Sequence, residues 1–119
     1  MNEVAKEWVD KAEEDFDSAD LLLHAGETPL SSPACFHCQQ CAEKYLKAFL
    51  TDHLIRFERT HRLVDLLGLC IPVDKDFRKL AGDLNSLEGL QSPYGILAPQ
   101  FQRILRKTHS QRRKECAFL

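Results

Sequence analysis

Apolar residues recur at steps of three and four along most of the chain, a spacing that places them on one face of an α-helix. The clearest stretch is residues 31–54, which contains no Gly and a single Pro. Ser32 is its predicted N-cap and Pro33 its first helical residue, where the missing N–H costs nothing. Small residues fill the first half of the stretch and bulky apolar residues the second half. We predict that it forms the central packing helix and that another helix approaches its small residues closely.

A first helix is predicted ahead of the central one, from residue 2 or 3 to about residue 25, with Gly26 as its C-terminal stop. Its predicted inward row comprises Val4, Trp8, Ala12, Phe16, Ala19, Leu22 and Leu23. Asp15 and Asp20 lie beside this apolar row. They either reach a partner helix or stay as solvated carboxylates.

Three shorter helices are predicted after the central one. The first takes Thr60 as its N-cap and ends before Pro72, the second runs from residue 73 or 74 to about 87, and the third begins at Pro99. Their predicted inward residues are Leu63, Leu66 and Leu67, then Phe77, Leu80, Ala81 and Leu84, and finally Phe101, Ile104 and Leu105. No segment alternates with the two-residue period of a strand. The predicted fold class is therefore all-α.

The composition limits the class of protein. A chain of 119 residues with 44% hydrophobic content can form one domain with its own core, so no structural metal, disulfide or cofactor is expected. No stretch approaches the roughly 18 apolar residues of a membrane span, and the N-terminus is too acidic for a signal peptide. Five cysteines, an odd number, argue against a secreted disulfide framework. We expect a cytoplasmic protein with reduced thiols and no membrane partner.

Three of the cysteines follow one another at three-residue steps in the central helix. On a helix, Cys35, Cys38 and Cys41 spread over roughly 120° and climb about 9 Å, so they cannot close on one tetrahedral zinc ion without other ligands. His37 points about 200° away from Cys35 and does not complete such a site. We predict packing residues and no metal site.

Charge is distributed unevenly along the chain. Residues 1–88 hold 10 basic and 17 acidic side chains, a net charge of −7, whereas residues 89–114 hold six basic side chains and no acidic one. This basic end indicates contact with the phosphates of RNA or of a nucleotide, with Arg106 and Lys107 as candidate contacts. The alternative is a helix C-terminus whose basic residues complement its own dipole.

The central helix contains the run FHCQQCAEKYLKAFL, which is followed by RTHRLVDLL and later by DLN. This combination resembles the HEPN family (higher eukaryotes and prokaryotes nucleotide-binding domain). The matching residues are Phe36, His37, Gln39, Gln40, Glu43, Lys44, Leu46, Lys47, Ala48, Thr60, His61, Leu63, Leu66, Leu67, Leu84 and Asn85, with Trp8, Ala12, Asp15 and Ala19 in the first helix. The resemblance covers roughly residues 5–88 of a single domain predicted over residues 1–119. After about residue 90 the chain departs from the family pattern. Stand-alone members typically carry an Arg-Tyr-Pro element before the last helix, whereas here Pro93 precedes Tyr94 and no Arg stands before them.

The resemblance implies an up-and-down bundle of four to five helices that is usually dimeric. It also implies a partner, because such proteins are often encoded beside a small nucleotidyltransferase with which they form a toxin–antitoxin pair. We expect a homodimer whose further partners are that nucleotidyltransferase, a nucleotide or RNA. The opposite charges of the two ends favour association of copies. Phe101, Ile104 and Leu105 are either covered by the second protomer or complete the bundle of their own protomer.

Some members of the family are metal-independent ribonucleases whose motif is an Arg, four to six residues and a His, completed across the dimer. Arg103 and His109 enclose five residues, and Arg56 and His61 enclose four. In such an enzyme the His acts as general base on the 2′-hydroxyl and the Arg stabilises charge on the phosphorane. Two functions therefore stay open, a dimeric interaction or nucleotide-binding module and a ribonuclease toxin.

Overall fold

A computed structural model describes residues 2–25, 31–60, 62–82 and 84. It contains three α-helices, α1 (Glu3–Leu23), α2 (Ser31–Asp52) and α3 (Leu63–Cys70), and a 3₁₀ helix (Lys75–Leu80). These ranges hold no strand, and the predicted all-α class is confirmed. Within them, no helix has the length and hydropathy needed to cross a bilayer.

The two long helices run antiparallel. Asn2 caps α1 through its side-chain oxygen, which accepts from the backbone N–H of Ala5 at 2.7 Å. Asn2 also contacts the C-terminal end of α2. Its side-chain amide donates to the carbonyl of Thr51 at 3.1 Å, and its backbone N–H donates to Asp52 Oδ1 at 3.3 Å. The start of α1 is therefore tied to the end of α2.

Small residues form the contact between these helices. Ala5, Ala12 and Ala19 follow one another at seven-residue steps on α1, and each is 0% exposed. The small buried residues of α2 are Ala34, Cys38, Cys41, Ala42 and Ala48. Such side chains let two helix backbones approach closely, and a seven-residue repeat keeps them facing one partner over several turns. The predicted close approach to the first half of the central helix is confirmed.

The other described elements pack on α2 directly or through α3. Helix α3 packs against α2, and the 3₁₀ helix packs against α3. Phe77 of the 3₁₀ helix also meets Phe49 of α2 edge to face, with the ring centroids 4.6 Å apart. As a result every residue from 41 to 50 is buried except the half-buried Lys44. Helix α2 is the central packing helix, as predicted.

Two predicted details of the long helices are wrong. The first is Val4, which is 55% exposed, because the small alanines lie at the closest approach of α1 to α2; the other apolar residues of the predicted row are buried or pack half-buried against the core, as predicted. Helix α2 begins at Ser31, so Ser32 is already helical and is not its N-cap. Pro33 is tolerated inside this first turn because the first N–H groups of a helix have no intrahelical partner.

Two further corrections concern the shorter helices. Helix α3 begins after Arg62, and Thr60 instead accepts a hydrogen bond from the backbone N–H of Arg62 at 3.1 Å in the preceding turn. The predicted fourth α-helix opens as a 3₁₀ helix, with Asp74 as N-cap. Ala81 is exposed while Phe77, Leu80 and Leu84 are buried, because three residues per turn place positions 77 and 80 on one side and move position 81 off it.

Several predictions lie outside the described residues. They are the stop at Gly26 and the last helix from Pro99 with Phe101, Ile104 and Leu105.

The predicted inward residues Leu63, Leu66 and Leu67 of α3 are described, and all three are buried, so that part of the prediction is confirmed.

Helix α2 ends in a turn that usually requires glycine. Leu54 has a φ of +57°, in the left-handed region. Its N–H bonds to the carbonyl of Thr51 at 3.1 Å, and the N–H of Ile55 bonds to that of Leu50 at 2.9 Å. These two bonds define a Schellman motif, in which Leu54 takes the place where Gly is most common. Its side chain is 86% exposed, so packing does not offset the backbone strain.

We predict that Leu54→Gly stabilises the domain. The left-handed backbone costs a leucine about 1–2 kcal/mol, and the extra chain entropy of glycine offsets about 0.5–1 kcal/mol of the gain. The free energy of unfolding in urea should therefore rise by about 0.5–1 kcal/mol. Leu54→Ala is the matched control, because it removes the exposed side chain and keeps the strain. A lower free energy of unfolding for Leu54→Gly, or an equal change in that free energy for both variants, would contradict the backbone strain at Leu54.

Candidate functional site

Charged and aromatic side chains meet along one side of the contact between α1 and α2. We call this surface the α1–α2 seam. It consists of Trp8, Lys11, Asp15, Phe36, His37, Glu43, Lys44 and Lys47.

Asp15 is the centre of the α1–α2 seam. One carboxylate oxygen, Oδ1, lies 2.9 Å from Nδ1 of His37, and the other, Oδ2, lies 2.5 Å from Nζ of Lys44. The side chain of Asp15 is only 10% exposed. A carboxylate that leaves water to this extent requires partners, and here both of its oxygens have one.

The helix period explains how α2 supplies both partners. His37 and Lys44 are seven residues apart, nearly two full turns, so they leave the same side of α2 about 10 Å apart. The antiparallel α1 brings Asp15 between them. Because an ionised carboxylate only accepts hydrogen bonds, Nδ1 of His37 carries the hydrogen in this contact. The second ring nitrogen, Nε2, has no hydrogen-bond partner among the described residues.

A second ion pair lies farther along α2 and is more deeply buried. Nζ of Lys47 is 3.3 Å from Oε1 of Glu43, and the two side chains are 10% and 4% exposed. The same ammonium lies 5.3 Å from the ring centroid of Trp8 and 5.9 Å from that of Phe57, both within the range of cation–π attraction. Lys47 thereby joins α1, α2 and the segment that follows α2.

Two side chains of the α1–α2 seam face outward. Phe36 is 59% exposed and presents its ring at 76° to that of His37, with the centroids 5.3 Å apart. Lys11 is exposed, with its Nζ 5.8 Å from the centroid of the Trp8 ring. They are the most exposed side chains of the seam.

The cysteines of α2 are packing residues, as predicted. Cys38 and Cys41 are 1% exposed in the core, and Cys35 is half-buried against it. Burial raises the pKa of the Cys38 thiol to about 12 and raises the pKa of Cys41 as well. Protonated thiols are poor nucleophiles and poor metal ligands. In the described part of the chain no three His, Cys, Asp or Glu side chains form a group that could hold a metal ion.

The residues predicted to carry catalysis fall mostly outside the described ranges. Arg56 is exposed, between Ile55 and Phe57, which both pack against the core. His61 is not described, and neither are Arg103, Arg106, Lys107 and His109. The geometry of both Arg–His pairs therefore stays a prediction.

The sequence indicated Asp15 as a candidate for interhelix contact but did not predict its pairing with His37 and Lys44. Asp15 does reach a partner helix, whereas Asp20 is exposed and pairs with His24 of its own helix, Oδ1 to Nδ1, at 3.4 Å. The missed signal is the seven-residue spacing of His37 and Lys44, which places two side chains able to donate hydrogen bonds opposite a carboxylate in the apolar row of α1.

These features define an all-α domain built on an antiparallel helix pair that buries charged residues at its contact. A family model described as the HEPN domain matches residues 5–109, which is most of the chain. The chain belongs to the HEPN family, and the resemblance found in its sequence is confirmed. No curated protein and no solved structure matches it.

The α1–α2 seam contains part of the family-like motif. Four of its residues, His37, Glu43, Lys44 and Lys47, are charged or ionisable residues of the family-like motif on α2. All four take part in ion pairs or hydrogen bonds within the chain. In this protein the charged residues of the motif therefore stabilise the pair of helices α1 and α2.

Proposed function

We propose that this chain is a HEPN-domain module that acts as a homodimer and binds a nucleotide or a protein partner. The protein partner would be a small nucleotidyltransferase in a toxin–antitoxin-type pair. Membership of the HEPN family, from the match over residues 5–109, supports the general class of function. The observation that favours binding over catalysis by the α2 motif itself is that Glu43, Lys44 and Lys47 are engaged in ion pairs within the domain.

The bonding of the motif residues favours a scaffold. A general base must come within about 2.6–3.2 Å of the proton that it removes. Glu43 and Lys47 are too deeply buried for such an approach, and Lys44 is held on Asp15. A domain whose motif residues form internal ion pairs can still bind a second protomer or a partner protein through its outer surface. Such binding needs no reacting group.

We predict a homodimer that depends on the second half of the chain. Sedimentation equilibrium at tens of micromolar protein, repeated over a range of salt concentrations, should give the mass of two protomers. Ile104→Glu should abolish the dimer and retain the helical circular dichroism signal, because a carboxylate cannot be buried unpaired at an apolar contact. Leu21→Glu is the matched control, since Leu21 is 72% exposed on α1 and should leave the mass unchanged. A monomer under all conditions would refute the dimer and any site shared by two chains.

The alternative function is a metal-independent ribonuclease toxin. The observation in its favour is that the family match continues to residue 109 and so includes both Arg103 and His109. In this enzyme His109 removes the proton of the 2′-hydroxyl, and Arg103 stabilises the negative charge that develops on the phosphorane. Arg56 and His61 form the second candidate pair, and Arg106 and Lys107 are candidate phosphate contacts.

For the alternative, we predict that expression of the chain alone arrests growth and that His109→Ala or Arg103→Ala restores it. His24→Ala is a matched control, because His24 is exposed and its ring bonds to the backbone of its own helix, so that variant should stay toxic. Growth at the same rate with the unmodified chain and with His109→Ala, at equal protein levels, would reject the ribonuclease and leave the binding module.

A further inference from the structure

His37 is held in one tautomer by a buried carboxylate. Its Nδ1 lies 2.9 Å from Oδ1 of Asp15, whose side chain is only 10% exposed, and Lys44 binds the other oxygen of the same carboxylate. Because Nδ1 donates its hydrogen to Asp15, the lone pair of the neutral ring is on Nε2. The contact therefore leaves Nε2 as an acceptor and a nucleophile, with no hydrogen to donate.

The His37 ring is also accessible at the edge of the α1–α2 seam. Its side chain is 31% exposed, and Nε2 has no hydrogen-bond partner among the described residues. Because the Nδ1 edge of the ring faces the buried carboxylate, the exposed part of the ring lies toward Nε2. The neighbouring Phe36 is itself 59% exposed and does not cover this side. A reagent in solution can therefore approach the nucleophilic nitrogen, while Asp15 behind the ring stays largely out of water.

The other two histidines that the structure describes lack a buried carboxylate. Nδ1 of His24 lies 2.8 Å from the backbone oxygen of Asp20 and 3.4 Å from its carboxylate, which is 58% exposed. Nδ1 of His53 lies 2.9 Å from the backbone oxygen of Phe49. A neutral carbonyl or a solvated carboxylate stabilises positive charge on the ring less than a buried carboxylate does. Of these three rings, that of His37 is best placed to become positively charged when Nε2 forms a new bond.

We propose that Nε2 of His37 is a phosphoryl-acceptor site, served by a donor of the phosphoramidate class. The lone pair of Nε2 forms a bond to phosphorus while the bond from phosphorus to the donor's protonated nitrogen breaks, and that nitrogen leaves as ammonia with the electron pair. The ring becomes an imidazolium that keeps its hydrogen on Nδ1. Asp15 is a positioning residue, because it fixes the tautomer and stabilises the positive ring.

The neighbouring charges favour a phosphoryl group over an uncharged acyl group. The ring of His37 and the ammonium of Lys44 meet on the two oxygens of Asp15, so a positive charge stands near the group that is added. This inference goes beyond the proposed binding function, because it assigns a covalent modification to the α1–α2 seam. The seam holds three lysines and two carboxylates, a net charge of +1, which a phosphoryl group would lower.

The test treats the full chain with potassium phosphoramidate at neutral pH. Cleavage of the reacted protein after Glu27 and Glu43 places His24, His37 and His53 on three different peptides, so mass spectrometry of timed samples gives the rate at each ring. His37 should react about tenfold faster than the other two, because a hydrogen bond to an ionised acceptor is about twice as strong as one to a neutral carbonyl. The label should be lost in acid and kept in alkali, as the nitrogen–phosphorus bond of phosphohistidine requires.

Two variants test the role of the carboxylate. Asp15→Asn should lower the rate at His37 to about that of His53, and NMR of the ring nitrogens should change from the Nδ1–H tautomer to a mixture, because an amide can accept or donate. Asp20→Asn is the matched control, since it removes the exposed carboxylate beside His24 and should leave both the rate and the tautomer of His37 unchanged. Circular dichroism should verify that both variants are folded.

Three outcomes would overturn the proposal. The first is a rate at His24 or His53 equal to that at His37 in the unmodified chain, a comparison that needs no variant. The second is an unchanged rate at His37 in folded Asp15→Asn. The third is the absence of acid-labile label on His37. Sedimentation measures the dimer without any phosphoryl donor, so a failure of this site is distinguishable from a failure of the proposed function.

Discussion

A buried carboxylate constrains how the two long helices of this domain face each other. Asp15 is stable between them only where donors or cations surround it, and His37 and Lys44 provide these from one side of α2. A shift of α1 by one turn would move the carboxylate about 5.4 Å along the partner helix and break both contacts. Removing the partners of a buried charge costs about 3–5 kcal/mol, a large part of the stability of a small domain. The pairing therefore specifies the register of α1 on α2.

The sizes of the side chains at the helix contact favour the same alignment of α1 and α2 as their charges do. The alanines of α1 at positions 5, 12 and 19 and the small residues of α2 permit close approach, and the seven-residue period that aligns them also aligns His37 with Lys44. The ionisable residues of the family motif are engaged in this contact, and Phe36 and Lys11 are the exposed residues of the α1–α2 seam.

The sequence predicted those parts of the structure that depend on local period. The central helix follows from a long run without breakers, and the inward leucines of α3 follow from their three- and four-residue steps. The 3₁₀ helix was missed because Phe77 and Leu80, three residues apart, fit the α and 3₁₀ periods equally well. The exposure of Val4 was missed because hydrophobicity selects the largest side chains, whereas close helix contact selects the smallest.

The parts that could not be predicted depend on partners far apart in the chain or on the backbone itself. Asp15 was a candidate for interhelix contact, yet its two partners lie 22 and 29 residues away, and their seven-residue spacing does not by itself identify the carboxylate that they face. The left-handed turn at the end of α2 is usually marked by glycine, and here the position is a leucine. The candidate Arg–His pairs rest on spacing and family resemblance, and spacing does not fix the distance between two side chains.

The coupling energy between Asp15 and Lys44 tests the central claim most directly. A double-mutant cycle with Asp15→Asn and Lys44→Met, measured by urea unfolding, should give about 1.5–3 kcal/mol, the range for a hydrogen bond to a charged group that is largely buried. The matched cycle with Glu3→Gln and Lys6→Met, an exposed pair at 3.8 Å, should give about 0.5 kcal/mol or less. A coupling energy for Asp15 and Lys44 no larger than that of the exposed pair would contradict the role of Asp15 in setting the register of the helices.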